Sequence, residues 1–276
     1  MKVLVTGSNG MLGQDLCQIL ESNGYEVIKA NRQNFDITNK NLCENFIKKV
    51  KPNILIHGAA YTNVDLAELD FENAKKINVL GTKNIAEIVS LTETNLVYIS
   101  TDYVFDGTKK SPYLTTDIPN PINNYGITKY QGEEIVKELC KRYYIVRTGW
   151  LYGFYGNNFV ETMLSLSNKS ELKVVNDQTG CPTWTVELSN GLIELIKNKP
   201  YGTYHACCSG QASWYEFAKE IFSIQDLNVN LLPCSTSEFP RQAKRPMYSV
   251  MYNNELCRDW KVVLREYFFA KKKRGI

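Results

Sequence analysis

The sequence predicts an α/β fold: a doubly wound parallel sheet with a smaller α/β cap. Three patterns carry that prediction. An apolar run, Lys2 to Thr6, passes through a glycine-spaced turn into a stretch of helical period. Apolar runs and amphipathic stretches then alternate as far as Thr148, as they do where parallel strands are joined by crossover helices. Beyond Trp150 the alternation gives way to short elements among aromatic and glycine residues.

The first strand, Lys2 to Thr6, leads into Gly7-Ser-Asn-Gly-Met-Leu-Gly13 and a helix whose apolar positions are Leu12, Leu16, Ile19 and Leu20. Strand, glycine loop and helix together present a helix N-terminus to a phosphate. Gly7 permits the tight turn, Gly10 lets the backbone approach a pyrophosphate, and Gly13 lets helix pack on strand. Placed directly after an N-terminal strand, the triple is expected to open a Rossmann dinucleotide-binding domain, with Asn9, Met11 and Leu12 in the phosphate loop, against an ordinary glycine turn as the alternative. The expected division is a nucleotide-binding domain over 1–150 and a mainly cap-forming region over 151–276, interleaved with the end of the sheet.

The second strand, Glu26 to Ala30, ends at Asn31-Arg32, where a carboxylate would select the free ribose hydroxyl of NADH. No carboxylate stands there, and Arg32 suits a 2′-phosphate, so the expected cofactor is NADPH before NADH. Asp36-Ile37 sits where a loop covers an adenine; the competing account makes Asp36 or Thr38 the cap of a helix from Asn41 to Lys51. The third strand, Ile54 to His57, is followed by the small residues Gly58-Ala59-Ala60 and by Tyr61, with room for a ligand at the strand's carboxyl end. His57 reads as packed, not catalytic.

A helix is expected from Asn78 to Val89, then a fourth strand from Asn95 to Ile99 that ends in Ser100-Thr101-Asp102-Tyr103. Asn124 is the expected cap of the helix carrying Tyr125 and Lys129, and Tyr144 to Thr148 is the next strand. Tyr125 and Lys129 stand one turn apart on one helix face. An ammonium beside a phenol favours the phenolate, and a phenol so tuned can protonate a carbonyl becoming an alkoxide. Thr101 supplies a hydroxyl for the same oxygen. In the cap, helices at Phe159 to Ser167, Thr185 to Lys197 and Trp214 to Ser223 accompany strands at Glu171 to Val175 and Tyr201 to Cys207, with Cys207-Cys208 as strand filler.

The totals exclude other classes. A net charge of +3 over 276 residues, with Lys and Arg scattered except for the Lys271 to Arg274 tail, makes no stripe for nucleic acid. No apolar run reaches about 18 residues, so no membrane-spanning helix is expected. The N-terminus enters a strand without a signal-peptide pattern. Eight cysteines without C-x-x-C spacing, and only two histidines, argue against structural zinc and for a reduced, cytoplasmic setting.

Several segments resemble, in order and across nearly the whole chain, the extended short-chain dehydrogenase/reductase family, nearest its members acting on dTDP-linked 4-keto-6-deoxysugars. They are Gly7 to Gly13 (spaced G-x-x-G-x-x-G), Ala59 to Asp65, Ser100 to Gly107, Tyr125 to Lys129, Arg147 to Trp150, Asn157 to Val160, Asp177-Gln178 with Pro182-Thr183, and Arg245-Pro246. The resemblance implies reduction of the C4 ketone of dTDP-4-dehydro-6-deoxy-L-mannose to dTDP-L-rhamnose. Tyr125 would be the proton donor and Thr101 would orient the ketone. Lys129 would tune Tyr125 and bind the nicotinamide ribose, with Ile99 also at the cofactor. Asp102 and Trp150 would contact the sugar, and Asn158, Asp177, Gln178, Lys244 and Arg245 would hold the nucleotide diphosphate.

Departures from the family pattern are Gly149 in place of a serine, Leu66 in place of a lysine, and a short segment from Asn253 to Trp260. A dehydratase or epimerase of the same fold is a rival reading, but Tyr103 occupies the position of the glutamate that elimination needs. Other rivals are a reductase of another nucleotide-linked deoxysugar and a non-catalytic dinucleotide-binding regulatory subunit. A monomer or a homodimer is expected. Some relatives pair through carboxylates able to take magnesium; Asp15, Glu187 and Glu266 are the residues concerned, with exposed helix-face charge as an equal account and no metal indicated.

Overall fold

The computed structural model describes residues 1–275. Its centre is a six-stranded sheet, all neighbours parallel. The strands are β1 (Lys2–Thr6), β2 (Glu26–Ala30), β3 (Ile54–His57), β4 (Asn95–Thr101), β5 (Tyr143–Thr148) and an edge strand, Gly202–His205, beside β5. From one edge the order is Gly202–His205, β5, β4, β3, β1, β2. The chain leaves β1 toward β2 and returns on the other side to β3, so the strand order reverses at β1 and β3. That reversal opens a crevice at the carboxyl ends of the two strands.

Period-two alternation divides the core between the two sheet faces. Leu4, Leu55, Tyr98 and Ile145 pack with Ile47 and Ile85, which lie in the helices Lys40–Val50 and Thr82–Ser90. Val3, Val5, Ile54, Ile56, Val97 and Val146 face the other way, with Leu16 and Leu20 of the helix Met11–Ser22 and Leu188 and Leu192 of the helix Thr185–Asn198. His57 is packed as expected: its Nδ1 is 2.8 Å from Thr6 Oγ1 and its Nε2 is 3.2 Å from Thr82 Oγ1.

Four local expectations are corrected. Asn39, not Asp36 or Thr38, caps Lys40–Val50, accepting from Leu42 N, while the Asp36 carboxylate accepts from Thr38. Asn123, not Asn124, caps the helix Asn124–Leu139 by accepting from Gly126 N; only Asn123 lies outside the helix with extended backbone. The helix expected from Asn78 begins as a π turn over Lys76–Gly81 before Thr82–Ser90. In that turn the buried Asn78 amide binds Tyr61 N, Tyr61 O and Thr128 Oγ1. Cys207 and Cys208 follow the edge strand and are fully buried, serving core packing and not strand filling.

Among the described residues no helix is long and apolar enough to cross a membrane.

Candidate active site

Gly7 adopts φ +71°, and a Cβ there would stand 2.8 Å from Ala59 N, so the two strand ends meet backbone to backbone at the crevice. A Cβ on Gly13 would lie 2.2 Å from Gly7 O, which is the close helix-on-turn packing the spacing predicts. Gly10 N donates to Gly7 O at 2.9 Å and closes the turn. The helix Met11–Ser22 starts there with no side-chain cap, leaving its first N–H groups for a ligand. Backbone amides in a cradle that side chains would fill fit a dinucleotide pyrophosphate.

A cavity of about 1220 Å³ runs from this turn across the carboxyl edge of the sheet. Of the residues expected at the cofactor, Gly7, Asn9, Gly10, Met11, Leu12, Gly13, Asn31, Arg32, Asp36, Ile37, Ala59, Ala60, Ile99, Tyr125 and Lys129 line it. Tyr61 does not; its backbone is clasped by Asn78 instead. Thr101, Asp102 and Trp150 line it too, joined by Trp214, which sequence reasoning missed.

Thr101 and Tyr125 line the same cavity, with Thr101 Oγ1 donating to Asp102 Oδ1 at 3.1 Å. Burial pushes the Tyr125 phenol up to about 12, with the Thr101 hydrogen bond pulling it partly back. Burial also pushes the Lys129 ammonium down to about 7, against the opposing charge of Glu133. The expectation that Lys129 lowers Tyr125 is therefore reversed in the protein alone. Desolvation is the largest cause at both groups, and Lys129 Nζ lies 4.1 Å over the Tyr98 ring. Tyr125 thus rests as a protonated phenol, the form a proton donor needs.

Asp102 is 3% exposed. It accepts from Ser249 Oγ at 2.6 Å and from Thr101 Oγ1 at 3.1 Å, and burial still pushes its carboxyl up to about 6. Tyr103 stands edge-on to Tyr125 with ring centroids 6.1 Å apart, so no second carboxylate occupies that position. Gly149 explains itself here: a Cβ would come within 2.5 Å of Asp102 Cγ.

The remaining expected substrate residues lie outside the cavity lining. Asn158 caps the helix Phe159–Leu166 and donates to Gly153 O. Asp177 accepts from Thr236 N and Oγ1, and Gln178 donates to Thr236 Oγ1. Arg245 holds Asp65 through two hydrogen bonds of 3.0 and 2.9 Å, and Lys244 is exposed. Asp15 and Glu187 are buried, so the account of them as exposed helix-face charges is corrected. Arg258 bridges Glu187 and Glu266 with bonds of 2.7 Å to each.

The comparisons agree with this geometry. The family model described as RmlD substrate binding domain matches residues 1–272. The spore coat polysaccharide biosynthesis protein SpsK of Bacillus subtilis is 40% identical over 273 residues, 96% of each chain. A dTDP-4-dehydrorhamnose reductase of Aggregatibacter actinomycetemcomitans is 40% identical over 264 residues, 91% of this chain and 90% of that one. A solved dTDP-4-dehydrorhamnose reductase from Bacillus anthracis, in complex with NADP, superposes with a TM-score of 0.95 at 44% identity, covering 98% of this chain and 99% of that one.

Proposed function

The chain belongs to the RmlD family of extended short-chain dehydrogenase/reductases, and from that premise we propose that it reduces the C4 ketone of dTDP-4-dehydro-6-deoxy-L-mannose to dTDP-L-rhamnose with NADPH. Residues 1–150 hold the cofactor and 151–276 mainly the sugar nucleotide. The protein works in the cytoplasm as a monomer or homodimer.

One observation carries the reading. The Tyr125 phenol, the Thr101 hydroxyl and the buried Lys129 stand in the same cavity as the glycine cradle. The bound dinucleotide supplies a hydride. Thr101 and Tyr125 hold the ketone oxygen between two hydroxyls, and Tyr125 gives that oxygen its proton as negative charge develops there. Lys129, close to neutrality in its buried setting, regains a proton with little free-energy change and stabilises the phenolate left behind. Arg32 would pair with the 2′-phosphate of NADPH. Asp102 and Trp150 orient the sugar, and Lys244 and Arg245 meet the diphosphate.

NADPH oxidation assayed against purified dTDP- and UDP-linked 4-keto sugars tests this. Turnover is expected with the dTDP-linked 6-deoxy ketone. Oxidation with none of them, while NADPH still binds, favours a regulatory subunit instead.

A further inference from the structure

Trp150 has a backbone φ of +52°, in the left-handed region that bulky aromatic residues rarely enter. Its surroundings hold it there. The Trp150 indole lies flat on that of Trp214, ring centroids 3.5 Å apart and planes 3° from parallel. Gly180 approaches the same ring so closely that a Cβ would fall 2.3 Å from its Nε1 and Cε2. Trp214 is fixed in turn by a chain of hydrogen bonds. Its Nε1 donates to Gln178 Oε1 at 3.2 Å, Gln178 Nε2 donates to Thr236 Oγ1 at 2.9 Å, and Thr236 Oγ1 donates to Asp177 Oδ1 at 2.6 Å. Gln178 has both ends of its amide engaged inside the protein, so it acts as a brace and not as a free ligand group.

Both indoles line the cavity that Thr101 and Tyr125 also line. With the Trp214 N–H occupied, its ring offers carbon surface. A sugar with its C4 oxygen at Tyr125 carries its C5 substituent on the adjacent ring carbon, close to whatever surface flanks the hydroxyls. A methyl is at home against stacked rings, whereas a hydroxymethyl would bury its oxygen without a partner.

We infer that Trp214 is a specificity-determining residue that positions Trp150: braced by Gln178, it keeps Trp150 in its left-handed conformation, and the stacked pair forms the surface that selects a 6-deoxy sugar over its 6-hydroxy counterpart. This rests on the proposed reading of the site.

The test is equilibrium binding of dTDP-L-rhamnose and of the same sugar nucleotide bearing a C6 hydroxyl, to the wild type and to Trp214→Ala, Trp214→Phe and Gln178→Leu. The wild type is expected to prefer the deoxy ligand about tenfold to a hundredfold. Trp214→Ala brings the preference within about threefold, Trp214→Phe restores most of it, and Gln178→Leu lowers it while weakening the exciton-coupled circular dichroism of the stacked indoles. NADPH affinity stays at the wild-type level in all three. If the wild type binds neither ligand, the reading of the site fails and this inference with it. If the wild type discriminates and Trp214→Ala discriminates equally, this inference alone is overturned.

Discussion

Glu133 and Arg147 form an ion pair closed to solvent, with Arg147 donating at 2.9 and 2.7 Å and both side chains at most 1% exposed. Ser100 Oγ adds a third hydrogen bond to the same carboxylate at 2.6 Å. Glu133 lies one turn beyond Lys129, and its charge is what opposes the loss of the Lys129 proton to burial. Glu133→Gln leaves Arg147 buried without its counter-charge. It should destabilise the fold by about 3–5 kcal/mol in denaturant unfolding; a loss under about 1 kcal/mol would refute that.

Gly149→Ser, which restores the residue common in the family, should harm this protein. The new Cβ meets the Asp102 carboxyl, which Ser249 and Thr101 hold in place. Displacing Asp102 misplaces the sugar, so kcat/KM should fall roughly tenfold to a hundredfold with NADPH affinity unchanged. A fully active variant would show that Asp102 has room to move.

Asp102 makes the stability depend on pH. Burial raises its folded-state carboxyl to about 6 from the 3.8 of a solvated one, so the folded protein holds the extra proton between those values. Stability is therefore lost as pH rises through that window, and the penalty is fully present above it. Asp102→Asn should gain roughly 2–3 kcal/mol on the wild type between about pH 4 and about pH 8. Parallel stability curves for the two proteins would contradict this.

Arg245 is pre-set by Asp65, which takes both of its terminal nitrogens. As the partner of a diphosphate, Arg245→Met should raise KM for the sugar nucleotide by about tenfold and alter kcat much less. Steady-state kinetics at saturating NADPH separates the two parameters, and an unchanged KM would remove Arg245 from the binding site.

The sheet was legible because its signals are local. Val3, Leu4 and Val5 alternate across it, and the glycine spacing at Gly7, Gly10 and Gly13 has one steric purpose, which the contacts at Ala59 N and Gly7 O bear out. Thr101, Tyr125 and Lys129 could be placed together because each sits at a strand or helix end facing one edge. What escaped was set by distant partners. Trp214 is a first-turn helix residue like many others until Trp150 stacks on it from the end of β5. Glu133 reads as an ordinary helix acid until Arg147 reaches it. Choosing Asn123 over Asn124 as cap depends on one backbone angle, and the direction of the Tyr125 and Lys129 shifts depends on burial, which spacing does not reveal.

The central claim is that Tyr125 gives the ketone its proton, and single-turnover oxidation of bound NADPH by the dTDP-linked 4-keto-6-deoxysugar tests it in Tyr125→Phe. The rate should drop by roughly two to four orders of magnitude while NADPH and sugar-nucleotide binding stay close to wild type. A variant that turns over near the wild-type rate would contradict the account.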